Sequence, residues 1–247
     1  VQKMAARNAI TRRLNSVETL GSVTTICTDK TGTLTRNEMT VRAVVTREDT
    51  YTVTGTGYAP DGEICLRGTD TPVTPAEHPD MARMAEVAAY ANDADVDKQD
   101  GQWRLAGEPT DGGIRTFALK AGVTQERPRL AAVPFDSEYK YMATLDDMDE
   151  GTVIHLKGAP DRLLARCDRQ SAPGGGTEPL DLEYWEERIE ELGSHGLRVL
   201  AAASRPADAG TQTLTTADVD DGGFEFLGLY GIIDPPRDEV VDAVATV

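Results

Sequence analysis

The sequence predicts an α/β chain whose greater part is an antiparallel sheet with flanking helices. Three observations lead there. A β-branched run, Val-Thr-Thr-Ile-Cys-Thr at 23–28, is followed at once by the polar string Asp29-Lys30-Thr31-Gly32-Thr33-Leu34-Thr35, as at the carboxyl end of a short buried strand. Strand-like stretches at 129–135, 139–145 and 152–156 succeed one another across short turns, with the acidic turn 146–151 between the last two, as in a meander. Helical spacing appears between such stretches, as at Leu182, Trp185, Ile189 and Leu192, which fall on one stripe.

Taken in order, the first element is an amphipathic helix over 3–20. Met4, Ile10, Leu14, Val17 and Leu20 recur at near-helical intervals among Arg7, Arg12 and Arg13, and Gly21 ends the run. After 23–28, residues 41–46 and 51–54 read as strands, and Asp61-Gly62 as a two-residue hairpin turn that opens the antiparallel region. Three prolines within 69–80 make a loop before a helix over about 80–90. Thr110 is placed to cap a second helix holding Ile114, Phe117 and Ala118, with Gly122 beyond its end. Behind the meander come a helix over about 161–167, a flexible loop over 171–179 and the helix over about 182–192. Strands at 197–203 and 224–233 complete the list, Pro235 suits the first position of a last helix, and no internal repeat is present.

Bulk properties narrow the function. The 247 residues can bury one large core or two modest ones. No window approaches the roughly 20 apolar residues that cross a bilayer, and no signal-peptide core opens the chain, so the piece is expected to be soluble. A net charge of -17 repels phosphate backbones and anionic lipid, which disfavours nucleic acid as a partner. Cys27, Cys65 and Cys167 are odd in number and widely spaced, fitting neither a disulfide framework nor a metal site. A reducing compartment is expected.

The string from Asp29 to Thr35 carries the chemistry. An aspartate nucleophile needs an anionic phosphoryl group brought close and its charge neutralised, and Lys30, backbone amides near Gly32 and a magnesium ion supply that. The string resembles the phosphorylation signature of the P-type ATPases, members of the haloacid-dehalogenase-like superfamily. Related phosphatases often carry a second aspartate two residues after the nucleophile, where this chain has Thr31. Threonine cannot activate water against the acyl phosphate, which favours a pump over a phosphatase.

Further blocks follow in the family's order over nearly the whole chain. Gly107-Glu108-Pro109-Thr110-Asp111 resembles the segment whose acidic residue contacts adenine, with Asp111 at that position. Phe135 and Lys140 are similar to the adenine-stacking aromatic and its neighbouring lysine; an aromatic face with a cation suits a purine joined to a polyanion. Lys157-Gly158-Ala159-Pro160 resembles the nucleotide-pocket lysine and glycine, where a missing side chain at Gly158 lets the purine approach the backbone. Arg198, in Gly196-Leu197-Arg198, matches the arginine that reaches the nucleotide phosphates. Asp234-Pro235-Pro236-Arg237 resembles the hinge by which the chain re-enters the phosphorylation domain, with Asp234 able to cap the next helix and Arg237 beside it.

The resemblance implies four parts: a stalk-like linker helix at 1–20, a first phosphorylation segment at 21–38, an inserted nucleotide-binding domain at 39–230 and a return segment at 231–247. The fold expected is a twisted antiparallel sheet with flanking helices, inserted into a partial Rossmann-type haloacid-dehalogenase-like domain. Met4, Asn8, Ala9, the 17–21 string and Gly231-Ile232-Ile233 are similar to the calcium-type branch. His78-Pro79 stands in a proline-rich loop, where it caps or spaces the next helix. ATP and Mg2+ are the implied ligands, with the Asp29 carboxylate and the Thr31 carbonyl as two of three magnesium ligands. The third ligand falls beyond Val247, so the chain is expected to be a fragment with an incomplete phosphorylation domain. Its partners would be ATP and the membrane and actuator domains of the parent chain, at the cytoplasmic face of a membrane, with the transported cation bound elsewhere. A nucleotide-binding module without turnover is the alternative for the piece as given, and a soluble phosphatase a remoter one.

Overall fold

A computed structural model describes residues 23–124 and 126–246. The amphipathic helix expected over 3–20, with its terminal Gly21, lies outside the described residues. Its strands are β1 (Thr40–Thr46), β2 (Thr50–Val53), β3 (Ile64–Leu66), β4 (Asp95–Gln99), β5 (Gln102–Ala106) and β6 (Arg129–Asp136). There follow β7 (Tyr141–Met148), β8 (Gly151–Gly158), β9 (Cys167–Ser171), β10 (Thr177–Pro179), β11 (Arg198–Pro206) and β12 (Phe224–Ile233). The helices are α1 (Pro79–Tyr90), α2 (Pro109–Lys120), α3 (Pro160–Leu164), α4 (Leu182–Ser194), α5 (Thr216–Asp220) and α6 (Asp238–Thr246).

One large sheet runs β3-β2-β1-β12-β11-β8-β7-β6. Its neighbours on that path pair antiparallel, while β9 adds a short parallel pairing to β12 and carries β10. Both faces are covered, and the alternation of side chains sorts them into two cores. On β11, Leu200 and Ala202 join Met81, Met84, Ile114 and Phe117 under α1 and α2, whereas Ala201 and Ala203 join Leu163, Trp185 and Val219 under α3, α4 and α5. Along β12 the order breaks at Gly228: Phe226 faces the second core and Leu227 the first, yet Leu229 faces the second again. The register shift between Ala202 and Ala203 marks this bulge, and a Cβ on Gly228 would come within 2.2 Å of the Val45 carbonyl oxygen.

Several expectations are corrected. Residues 23–28 form no strand; Val23 and Ile26 are exposed, because no neighbouring strand among the described residues meets their backbone groups. Asp61-Gly62 is not a two-residue turn but part of a longer loop closed by Thr54 donating to Glu63 O at 2.9 Å. Helix α3 stops at Leu164, and Cys167 opens β9, so the expected loop over 171–179 is largely the β9–β10 hairpin. The hairpin β4–β5 was not foreseen, although Asp100 and Gly101 have the positive φ values, 51° and 80°, of a tight primed turn. Also unforeseen, α5 carries a capping box between Thr215 and Asp218. Thr110 does not cap α2, whose N-cap is Glu108, and His78 occupies the N-cap of α1 without a side-chain capping bond. Leu182 is exposed while Trp185 and Leu192 are buried, so the stripe on α4 begins one turn late. Pro235 precedes α6 rather than starting it.

Trp185 anchors the second core. Its indole N–H donates to Gln170 Oε1 at 2.7 Å, and its ring lies 4.6 Å from that of Phe226. Trp185→Ala is expected to cost about 3–5 kcal/mol by urea unfolding followed in the far ultraviolet. A loss below about 1 kcal/mol would mean the cavity collapses freely and the anchor assignment is wrong.

Candidate functional site

Register and alternation together build a cavity at one end of the sheet. Met142 pairs with Lys157 across β7 and β8, and Lys157 with Ala202 across β8 and β11. Met142, Lys157, Arg198 and Leu200 are thereby turned toward the α1/α2 face, where the first turn of α2 brings Thr110 and Asp111 over them. Phe135, near the end of β6, closes one side and is 61% exposed as a residue. The space enclosed is about 280 Å³.

Its electrostatic centre is the ion pair between Lys157 Nζ and Asp111 Oδ1, 2.8 Å apart, with side chains 4% and 20% exposed. Burial pushes the Lys157 ammonium below its ordinary value of 10.5, and the Asp111 charge pulls it part of the way back. Asp111 sits in the first turn of α2, where its charge also faces the helix N-terminus favourably. The buried Asn92 holds this turn, its side-chain amide donating to Ala88 O and Asp111 O at 3.0 Å each. Asn92 was not singled out from sequence; its place at the end of α1 was the available signal. Arg198 Nη1 donates to Thr110 Oγ1 at 3.2 Å, so the expected capping residue serves as an acceptor beside the cavity.

Two residues differ from expectation in how they are used. Gly158 borders the cavity, but its absent side chain does not make room for a ligand. A Cβ there would lie 2.4 Å from Lys140 O, on the side of the sheet that Tyr141 occupies, so the chain's own backbone requires the glycine. Lys140 is outside the cavity lining, in the exposed β6–β7 turn at φ 59°, its amide donating to Asp136 O at 2.7 Å.

A second group gathers where the chain enters and leaves the sheet. Asp29, Lys30 and Thr31 are exposed in and beside a tight turn closed by Thr35 N donating to Lys30 O at 3.1 Å, with Gly32 at φ 75°. Thr35 Oγ1 donates to Asp234 Oδ2 at 2.5 Å across 199 residues of chain. Asp234 therefore does not cap α6, and its other oxygen, Oδ1, is buried without a partner, an arrangement that leaves room for one more donor. Arg237 clamps the turn, donating to Thr35 O and Gly32 O at 3.0 Å each. No three acidic, His or Cys side chains converge on a metal position among the described residues. Asp29 and Thr31 alone offer two oxygens of the near-octahedral set that magnesium demands, so the described residues do not complete such a centre.

An aromatic face, an apolar floor of Met142 and Leu200, and the cation Arg198 at the rim fit a flat heteroaromatic ring joined to a polyanion. Of four larger cavities among the described residues, the two roomiest do not. One, of about 440 Å³, is lined mainly by Glu48, Asp49, Glu77 and Asp80, which repel an anion, beside a single arginine, Arg83. In the other, of about 460 Å³, Arg83 and Arg127 are already paired with Glu225 and Asp149. No helix among the described residues is long and apolar enough to cross a membrane.

Comparison with known proteins shows the family. Residues 80–239 match the family model for the P-type ATPase, cytoplasmic domain N. The chain is 40% identical over 252 residues to the cation-transporting ATPase pma1 of Synechocystis sp., covering 99% of this chain and 28% of that protein. A calcium-transporting ATPase of Bacillus subtilis is 38% identical over 253 residues, 99% of this chain and 28% of that protein. Calcium-transporting ATPase type 2C member 2 of Rattus norvegicus is 36% identical over 256 residues, 99% and 25%. The chain thus spans little more than a quarter of the length of these relatives.

The ion pair yields an asymmetric prediction. Asp111→Asn strands the more deeply buried charge and should cost about 3 kcal/mol, whereas Lys157→Met leaves behind the partner that water reaches and should cost less. The folded chain holds the Lys157 proton less tightly than the unfolded chain, so this group's contribution to stability rises as pH climbs through the folded pKa toward about 10.5. Asp111→Asn should start that rise at lower pH and so enlarge it. Equal losses for the two variants in urea unfolding, with parallel pH profiles, would contradict the assignment.

Proposed function

The chain belongs to the P-type ATPases, as cytoplasmic domain N of that family, and from this premise we propose that the cavity between Phe135 and the Lys157–Asp111 pair seats ATP. The exposed ring of Phe135 carries the reading, because an aromatic side chain left bare over a small, mostly apolar cleft is poised to stack on a base. At about 280 Å³ the cleft lies at the small end of the roughly 300–1,000 Å³ range of ligand sites, so it takes the base and leaves the phosphates at the rim. Met142 and Leu200 form the floor under the base, and Asp111 offers carboxylate oxygen to its amino group while Lys157 neutralises the carboxylate. Arg198 stands where the first phosphates leave the cleft, and Lys140, on its exposed turn, swings toward them.

ATP supplies the phosphoryl group that Asp29 accepts in the whole enzyme, giving an aspartyl phosphate. Lys30 neutralises charge beside the nucleophile, Arg237 holds the carbonyls of Gly32 and Thr35 so that the turn keeps its shape, and Asp234 is fastened to that turn through Thr35. Asp29 and the Thr31 carbonyl are the residues that would bind magnesium, with the remaining ligand from elsewhere in the parent protein. We assign 21–38 and 231–247 to a phosphorylation domain and 39–230 to the nucleotide domain, with Gly231 to Ile233 still paired to β1 and β11, so that the return crossing itself falls at Asp234. Relatives named as cation and calcium transporters support a role in moving calcium or a related cation, bound in a membrane part at whose cytoplasmic face this region works.

Calorimetric titration with ATP tests the cavity. Phe135→Ala, at an exposed side chain that should leave the fold intact, is expected to weaken binding about tenfold, as for the loss of one base–aromatic stack. Arg198→Ala should weaken ATP far more than adenosine. Unchanged ATP affinity in Phe135→Ala would overturn the site.

A further inference from the structure

The first turn of α2 touches two places at once. Thr110 and Asp111 line the cavity, while of the next two residues Gly113 presses on the segment that brings the chain into the sheet and Gly112 on Leu105 and Tyr58. A Cβ on Gly113 would come within 2.4 Å of Met39 O and 3.3 Å of Thr40 N. A Cβ on Gly112 would meet Leu105 at 2.5 Å and the Tyr58 ring at 3.0 Å. Paired glycines weaken a helix, and here close backbone approach is the reason for them. Tyr58, from the loop between β2 and β3, lies with its ring against Gly112, and Glu38, next to Met39, reaches the neighbouring Gly57, so this loop adjoins the same joint. Just upstream, Arg36 N donates to Pro235 O at 3.0 Å and Arg237 N to Leu34 O at 2.9 Å, which ties the entering and leaving segments together.

Resting on the reading that the cavity takes ATP, we propose that Gly112, Gly113 and Tyr58 are positioning residues that link occupancy of the cavity to the set of the paired entering and leaving segments. The physical basis is contact without slack. A ligand that draws on Asp111 shifts the α2 turn, and the turn cannot shift without displacing Met39, whose backbone Gly113 meets directly, and the Tyr58 ring packed against Gly112. A merely structural role for the three residues would show in stability alone.

Hydrogen exchange on the whole chain, with and without saturating ATP, separates these outcomes. In wild type, ATP should slow exchange of the Arg36 and Arg237 amides by about fivefold or more, the lower end of ordinary coupling between sites. Tyr58→Ala, in a loop, should keep ATP affinity and lose the slowing, and Tyr58→Phe, which retains the ring against Gly112, should restore it. Gly113→Ala, where it folds, should behave as Tyr58→Ala does. ATP binding without slowing in wild type, or slowing undiminished in Tyr58→Ala, would overturn the proposal while leaving the nucleotide site standing. Absence of ATP binding by wild type would remove the nucleotide site and this proposal together.

Discussion

The antiparallel pairing of β1 with β12 is the constraint from which the rest of the molecule follows. Thr40 lies opposite Ile233 and Thr46 opposite Gly228, so the strand that enters the sheet and the strand that leaves it run side by side through its middle. Everything between them in sequence is returned to its starting point. Thr35 can therefore meet Asp234, and Arg237 the carbonyls of Gly32 and Thr35, although almost the whole chain separates them. β12 is the most heavily engaged strand: β1 and β11 flank it, β9 adds a third pairing, and buried side chains cover both faces. A segment with two partners and two covered faces is costly to open locally, which keeps the two crossings aligned.

The cavity sits at the sheet end where Arg198 and Leu200 of β11 lie beside the ends of β7 and β8, and its chemistry comes from an energetic conflict resolved locally. A lysine buried to 4% exposure would shed its proton or unfold its surroundings if left alone. Asp111 opposes both, and Asn92 fixes the turn that carries Asp111. The resulting pair is charged, dry on one side and reachable on the other, beside a bare aromatic ring. Such a site costs stability, which fits the binding role proposed for it.

How much of this was legible in the sequence depends on the range of the interactions involved. β12 was read at its observed ends because aromatic and aliphatic residues dominate 224–233, with Gly222-Gly223 before it and Asp234-Pro235 after it. The residues that share the cavity, Asp111, Phe135, Lys157 and Arg198, were all named in advance, on short motifs whose order along the chain mattered more than any one of them. Their meeting was not derivable from local pattern, since it rests on the β7–β8–β11 register. Gly158 shows the limit: its motif was noticed, but the reason for a glycine lies in Lys140 O on the adjacent turn, a contact no spacing rule reveals. Residues 95–106 and 167–179 were missed as strands because they are polar and pair only with each other or at the margin of the sheet, where alternation is weak. The run at 23–28 failed in the opposite sense, with strand composition but no partner strand among the described residues.

The central claim is that the small cavity, rather than any of the four larger ones, is where a purine nucleotide binds. Backbone amide shifts of the isotope-labelled chain during ATP titration test it most directly. The account requires the largest changes at Glu108 to Asp111, Phe135, Met142, Lys157, Gly158 and Arg198 to Leu200. Changes concentrated instead around Asp49, Asp80 and Ser171, the walls of the acidic cavity, would contradict it.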